Sequence, residues 1–525
     1  MARVNTNNTS LRYTTESTVG VLPGSPVWKI AEFNTIGAYG AEISTTVRRP
    51  ISQDRGRKKG TVTDLDSKVE FETDLTVASF SDFAEGFVFA EYANTEFNLR
   101  AGTTLTPPPV ASTTVYTIDA ASATLGGKIQ FGAASHATLV YAKGYTNAAN
   151  NGLKAITADT AAAGVAITVA ATLVVETPPT NAMLSIAGVR VLDDADLTLT
   201  VSGLTATLVS AAAITNWGSR GIKMGMFIHI GSPTSTGTLQ NGLGAGGTTS
   251  YGYARVTADS ATGTLLLDKL STTLVSAVGA AGLSQDIMFG MFLRNVPVTA
   301  NATDNRYLER TYQFEVSYPE LGGVGIPEYE YAIGNYVNEL KLNVPLADKS
   351  SINYALIGTN SDNVTATRKT NASAATSPLR TTAFNTSSDV ASLTTDVVSS
   401  ASEVCFKSLT LTVKNNVSTE KCLGTLGARF VNSGLFEVSL EGQMLFTNKL
   451  ITNAIKGNTT VTFLAILRNQ DGAIAFDIPE MNLGDGKREF PVDQSVLVNV
   501  KGESFTSSTY GYDIGISLFS AVPYA

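Results

Sequence analysis

The chain has 525 residues, more than one ordinary hydrophobic core accommodates, so several domains are expected. Apolar residues make up 43% and charged residues 16%, which excludes a disordered polymer. The formal net charge of −8 argues against a stable sequence-reading contact with nucleic acid, which calls for a basic face. Thr, Ser, Ala, Val and Gly dominate and turn residues recur throughout, a mix that favours an all-β fold with a few short helices.

The opening MARVNTNNTSLRYTTEST lacks the apolar core of a signal peptide, and no uncharged run is long enough to span a bilayer. Assembly in a cytoplasm and no membrane partner are the expectations. Residues 1–28 read as an N-terminal arm whose polar, Gly-Pro-punctuated part (13–28) is ordered by docking on something else. The loop 47–60, VRRPISQDRGRKKG, carries Arg48, Arg49, Arg55, Arg57, Lys58 and Lys59 with little apolar content. As a solvated hairpin tip it needs no further role. As a contact, its partner is an acidic surface, and in an acidic chain a neighbouring subunit is more economical than a phosphate backbone.

From Val69 the residues alternate: Val69, Phe71, Thr73 and Leu75 on one face, Lys68, Glu70, Glu72 and Asp74 on the other, the mark of a half-buried strand. FSDFAEGFVF then reads as a helix with Ser81 or Asp82 as N-cap. The run TPPPV ends this first region at about residue 100. From 101 to 299 the chain is rich in Ala, Thr, Gly and Val, and it repeats itself: NGLKAITADTAAAGVAIT (151–168) is echoed by YGYARVTADSATGTLLLD (251–268). Two small β modules, 101–200 and 201–299, are the natural parse. The loop LQNGLGAGGTTSYG lacks the Lys-Ser/Thr ending and following helix of a nucleotide loop.

Residues 300–358 regain charge and alternate in TYQFEVSYPE and VNELKLNVPL, the latter placing Val337, Leu340, Leu342 and Val344 at a buried edge. Tyr329, Tyr331 and Tyr336 suit either an interface anchor or internal packing. The Ser/Thr/Asn-rich stretch 359–400 reads as a linker or long surface loop. The last region, 401–525, opens with the organising stretch Val404 to Lys456. Leu409, Leu411 and Val413 alternate with threonines, and Asn415-Asn416 suit a turn. Phe436, Val438 and Leu440 then face inward with Glu437, Ser439 and Glu441 outward. Leu450, Ile451, Ala454 and Ile455 form a helical stripe stopped at Gly457. Later runs place Val461, Phe463 and Ala465 before an Asn469-Gln470-Asp471-Gly472 turn, then Ile474, Phe476 and Ile478, then Val496, Val498 and Val500.

Hairpin, acidic-faced strand and helix thus occur twice in the same order, at Ala41–Ala90 and Val404–Lys456. Setting KVEFETDL against LFEVSLEG puts Glu70 over Glu437 and Asp74 over Glu441. The shared order favours duplication over a chance match of two amphipathic strands. Cys405 and Cys422 are the only cysteines and flank one hairpin; two buried thiols are the favoured reading and a bridge across the hairpin is the alternative. Catalysis needs convergent titratable groups. His136 and His229 are the only histidines and lie in no recognisable motif, and Glu70/Glu72 has the spacing of any solvated strand face. A structural protein with no catalytic, cofactor or metal site is expected.

STVGVLPGSPVWKI, RRPISQDRGRKKG…VEFETDL…SFSDFAEGFVFA, LTVKNNVSTEKCLGTLGARFVNSGLFEVSLEGQMLF and FDIPEMNL, in that order, resemble the major tail tube proteins of long-tailed, non-contractile bacteriophages. The resemblance covers about 1–100, 305–350 and 401–525. It implies β-sandwich or half-barrel domains whose inner sheets join around a ring into a closed barrel. It also implies rings that stack into a conduit for genomic DNA, and tape-measure, tail-terminator and tail-tip partners, with DNA only in transit. The parse is then a tube domain A (1–100 with 300–358), the two inserted modules, a linker (359–400) and a tube domain B (401–525). Two copies per chain imply three chains per ring. Glu70, Glu72, Asp74, Glu437 and Glu441 become candidates for the lumen wall, where carboxylates repel phosphate, and the basic loop a candidate contact to the next ring. The alternative is a surface-displayed multidomain β adhesin built of Ig-like modules.

Overall fold

The computed structural model describes residues 4–48, 58–93, 110–117, 136–159, 166–179, 182–232, 250–258, 262–302, 305–378, 381–395, 405–447 and 449–522, with positions 51, 53, 243 and 244. The fold is all-β with two α-helices among the described residues.

The polypeptide repeats one plan. In the first copy a hairpin of β2 (Thr35–Arg48) and β3 (Lys58–Asp74) leads into α1 (Val77–Val88). After an insertion come β4 (Tyr312–Tyr318), β5 (Glu328–Pro345) and β6 (Ser351–Gly358). In the second copy β7 (Phe406–Lys414) and β8 (Glu437–Leu445) lead into α2 (Leu450–Gly457). Then follow β9 (Thr460–Asn469), β10 (Gly472–Glu489) and β11 (Leu497–Ser504). β1 (Ser10–Thr15) and β12 (Gly515–Phe519) flank the two copies. Hydrogen bonding orders the inner layer β2-β3-β6-β5-β7-β8-β11-β10, antiparallel throughout. Each copy contributes four strands, and the copies join at β5·β7, from Glu339 opposite Lys414 to Pro345 opposite Ser408.

Register with the partner strands sets how the copies superpose. Asp74 lies opposite the first residue of β6, Ser351, and Leu445 opposite the first residue of β11, Leu497, so Glu70 superposes on Glu441 rather than Glu437. A shift of an even number of residues preserves inside-outside alternation, so the sequence pattern could not fix it.

The alternating residues explain the layers. Phe71, Tyr354, Leu340, Val413 and Val438 form one cross-strand row on the buried face, and Thr73, Ile352, Leu342, Leu411 and Leu440 the next. α1 covers this face. Its Phe83 packs between Phe71 and Tyr354 on the inner layer and Tyr13 and Phe314 on β1 and β4. Five successive residues of β4 (Tyr312–Val316) are buried, so the alternation expected there is absent, because that strand is covered on both faces. α1 starts earlier than expected: Thr76 is the N-cap, its Oγ1 accepting from the Ser79 N–H at 3.0 Å while Ser79 Oγ accepts from the Thr76 N–H at 3.0 Å. α2 ends on Asn458 in left-handed conformation, just past the expected Gly457.

Two tethers hold the outer layer. β1 pairs with β4, and Trp28 is buried with Tyr329 and Tyr331, which settles those tyrosines as internal packing. Glu315, fully buried on β4, accepts from Arg368 and from Tyr331 Oη at 2.7 Å. Within 359–395, Phe384 is buried and Val390–Thr395 pairs with β9, so the stretch read as a linker straps one copy to the other. Cys405 is exposed and Cys422 half-buried, both free, which corrects the expectation of buried thiols.

The insertion forms a second sheet of two halves in mirrored strand order. Its first half runs Val110–Ala111, Val115–Thr117, Ala166–Val169, Gly152–Asp159, His136–Lys143, Met183–Val191. The second runs outward from Gln285–Met288 through Phe227–Ile230, Gly252–Ala258, Thr264–Asp268 and Thr205–Ser210 to Leu197–Ser202, with the short Ala277–Val278 added at its outer edge. The halves join where Met183–Val191 pairs with Gln285–Met288. Thr157-Ala158 and Thr257-Ala258 of the two echoed stretches occupy matching strand pairs, each bulged at the same place, Ile156/Ala158 and Val256/Ala258. The insertion is anchored by Arg255, whose guanidinium meets Asp477 of β10 at 3.0 Å and Asp268 at 2.7 Å and lies over the Tyr510 ring.

Candidate assembly and lumen surfaces

The face of the inner layer turned away from α1 is polar because the same alternation that buries one side exposes the other. Three cross-strand rows define it. The first is Ala38, Glu70, Ala355, Glu339, Lys414 and Glu437. The second is Thr35, Glu72, Asn353, Lys341, Thr412, Ser439 and Glu503. The third is Asp74, Ser351, Asn343, Thr410, Glu441 and Lys501. All five carboxylates singled out from sequence therefore share one face, drawn from both copies.

That face is less uniformly acidic than those five residues alone suggest. Lys414 meets Glu339 at 3.3 Å, Lys501 meets Glu441 at 3.2 Å, and Lys349, just beyond β5, meets Asp74 at 2.8 Å. The Asp74 contact raises the Lys349 pKa. On the three rows seven carboxylates still outnumber three ammonium groups. Glu339, Glu503 and the lysines escaped the sequence reading, although the alternation of VNELKLNVPL puts Glu339 and Lys341 opposite Leu340 and Leu342, and Val498 and Val500 imply the same for Lys501 and Glu503.

The β2–β3 hairpin extends past the sheet. Residues 42–48 of β2 are exposed on both sides, as are Lys58, Lys59 and Thr61–Thr63 of β3. Ile43, Val47 and Val62 stand out as exposed apolar side chains. Arg48, Lys58 and Lys59 are exposed near its end, with Arg48 opposite Lys58. Arg49, Arg55 and Arg57 fall outside the described residues. The second copy has no such arm. Between β7 and β8, where Asn416 turns the backbone left-handed, the chain folds into a small knob with the pair Ser418–Glu420 and Phe430–Asn432. The knob leans on the first copy. Lys421 Nζ donates to Asp64 Oδ1 at 2.6 Å and Asp66 Oδ1 at 2.7 Å, and the first bond holds the Asp64 carboxyl below its ordinary pKa.

Among the described residues the inner layer has two open ends. β2 pairs only with β3, and β10 beyond Asn482 pairs only with β11 on one side. Both edges carry irregularities: β2 is bulged at Ile36/Ala38, and β10 at Asp485/Arg488. Among the described residues no three His, Cys, Asp or Glu side chains form a metal-binding group, and no helix is long and apolar enough to cross a membrane. His136 and His229 are buried, and burial lowers their pKa to about 4 and about 3.

Compared with known proteins, residues 230–503 match a family described as phage tail tube protein. The matched interval begins within the insertion and takes in β4 to β11. No curated protein matches the chain.

Proposed function

Because the chain belongs to the phage tail tube protein family, a structural component of phage tails, we propose that three copies close into a ring and that rings stack into the conduit for genomic DNA. The observation that carries this is the junction between the two copies within one chain. β5 and β7 already join two four-stranded units edge to edge, and among the described residues the same units end in an open edge of β10 beyond Asn482 and an open edge of β2. Asn343 lies opposite Thr410 at that junction, and the superposition of the copies makes Glu489 of one chain face Ala38 of the next. Three chains supply six units and about two dozen strands, and closure removes both edges.

The carboxylate-rich face then lines the lumen, since the opposite face is covered by helices and the outer layer. Excess negative charge keeps the phosphate backbone from adhering during passage. The inserted sheet, 101–299, projects from the outer wall, because a lumen that passes duplex DNA has no space for it. The hairpin tip with Arg48, Arg49, Arg55, Arg57, Lys58 and Lys59 reaches the next ring. Rings stack as a head-to-tail contact that does not close and so propagates. This is the tail of a long-tailed, non-contractile phage, assembled in the host cytoplasm with tape-measure, terminator and tail-tip proteins.

Cryo electron microscopy of the purified chain at high concentration tests the reading. Hollow tubes with three chains per ring are expected. Six chains per ring would overturn the role given to the duplication, and extended beaded particles would point to a surface adhesin instead.

A further inference from the structure

Matching places on the two copies are not equally filled. On the first copy, the strand ends around Asp64–Asp66 and Ile357–Thr359 are covered by the knob of the second. Lys421 bonds both aspartates, the Ala428 N–H donates to the Thr359 carbonyl at 3.1 Å, and Val417 and Val431 pack on Tyr336 and Ile357. The register that superposes β3 on β8 and β6 on β11 maps those positions onto Leu435–Glu437 and Glu503–Phe505. There the structure has an open cleft of about 720 Å³, lined by Leu435, Phe436, Glu437, Glu503 and Phe505. Leu435 is 73% exposed.

We propose that this cleft is the docking site for the stem of the β2–β3 hairpin of a second copy of this chain. The inference rests on the ring reading and goes beyond it by naming a lateral contact separate from the strand edges. Continuity with the internal junction identifies the occupant. Where β7 joins β5, the hairpin loop that follows β7 lies on the cleft of the copy it joins. β2 is the counterpart of β7, so when β2 joins β10 of a neighbour, the hairpin that follows β2 lies over that neighbour's cleft. The chemistry agrees. Ile43 and Val62 of the stem, 55% and 51% exposed, find apolar cover on Leu435, Phe436 and Phe505. Glu437 stands where Asp66 receives Lys421, and Lys414 and Lys501 line the cleft beside it, so apolar cover rather than net charge holds the stem. The contact leaves the basic tip free to extend toward the next ring.

The test is disulfide trapping in assembled tubes of the full chain carrying Cys405→Ser and Cys422→Ser. The pair Val62→Cys with Leu435→Cys reports the cleft, and Ala38→Cys with Glu489→Cys reports the strand edges. Mild oxidation should link chains through both pairs, giving covalent trimers on non-reducing gels. Linkage through the edge pair alone overturns the docking proposal and leaves the ring intact. Linkage through neither pair in tubes overturns the ring reading itself. Should the cysteine variants not assemble, Leu435→Asp carries the test, because Leu435 is exposed in the free chain and covered only in the docked one. It should reduce assembly at least tenfold while the melting temperature of the subunit is unchanged, and assembly at the parent level would refute the site.

Discussion

Arg255 offers a sharp test of how the insertion is held on the tube sheet. Its guanidinium donates to both oxygens of Asp477 at 3.0 Å, and Asp477 is 1% exposed. In Arg255→Met the only remaining donor described at that carboxylate is Tyr512 Oη, at 3.2 Å. An unpaired buried carboxylate is relieved by taking up a proton, and burial already pushes Asp477 upward. Protonating an ordinary carboxyl at pH 7 costs about 1.4 kcal/mol per unit over roughly three units, or about 4 kcal/mol, which agrees with the ~3–5 kcal/mol typical of a broken buried pair. The lost contact to Asp268 adds little, because that carboxylate is partly solvated. The same arithmetic at pH 5 leaves a cost of about 1.5 kcal/mol. Urea unfolding of parent and variant at the two pH values therefore gives a signature, a defect that shrinks on acidification. Arg255→Met with Asp477→Leu should recover most of the loss. A single-variant defect under about 1 kcal/mol, or one independent of pH, would refute the argument.

Three further outcomes are expected. Neutralising Arg55, Arg57, Lys58 and Lys59 should shorten or abolish tubes while the melting temperature of the subunit is unchanged; normal tubes in electron micrographs would remove the ring-contact role of this loop. His229, held neutral by burial and by Arg468, has a folded pKa of about 3 against an unfolded value near 6.5. Its contribution is complete above pH 6.5 and is lost as pH falls toward 3, about 2 kcal/mol by pH 5, so His229→Phe should flatten the acid limb of a melting-temperature profile. Replacing Glu70, Glu72, Glu437 and Glu441 with Lys should leave tubes intact but make them retain duplex DNA at low salt and release it at high salt, and tubes that retain none would place those residues off the conduit.

What the sequence disclosed follows from which physical signals are local. The alternation at Val69–Leu75 and Leu409–Val413 identified half-buried strands because a side chain's face depends only on its own parity. The same parity brought Glu70, Glu72, Asp74, Glu437 and Glu441 onto one face. Register is a relation between strands, and hydrophobic parity cannot distinguish shifts by an even number, hence the displaced superposition of the two copies. The helix expected over FSDFAEGFVF with Ser81 or Asp82 as N-cap starts a turn earlier, because the capping box of Thr76 with Ser79 extends it. The strap 359–395 lacks periodicity because its order comes from isolated anchors, Arg368 on Glu315 and Phe384 in the core, rather than from a repeating face. The cleft at Leu435–Phe505 had no signal in sequence, since it arises from what the second copy lacks beside it.

The asymmetry between the copies explains why joining two tube units in one chain has a consequence beyond economy. In a ring of identical units every junction carries the same loops, so a projecting hairpin repeats at each. Here the β5·β7 junction is intramolecular and forms at the high effective concentration set by the strap 359–395, so its hairpin is released from holding separate chains together. It has become the knob, folded back on Asp64 and Asp66 at the root of the other hairpin. In the proposed ring the β10·β2 junction has no such help and keeps the long arm, which adds contact area where association must overcome the loss of translational freedom. Its edges need protection until a partner arrives. The bulges at Ile36/Ala38 and Asp485/Arg488, with Lys487 and Arg488 on the open strand, disfavour indiscriminate strand addition by chains that cannot match them. Smoothing β10 by deleting Gly486, which sits at a φ of +74° within that bulge, should then convert ordered tubes into irregular aggregates rather than stronger rings. Regular tubes from the deletion, seen by electron microscopy, would show that the bulge has no part in choosing the partner.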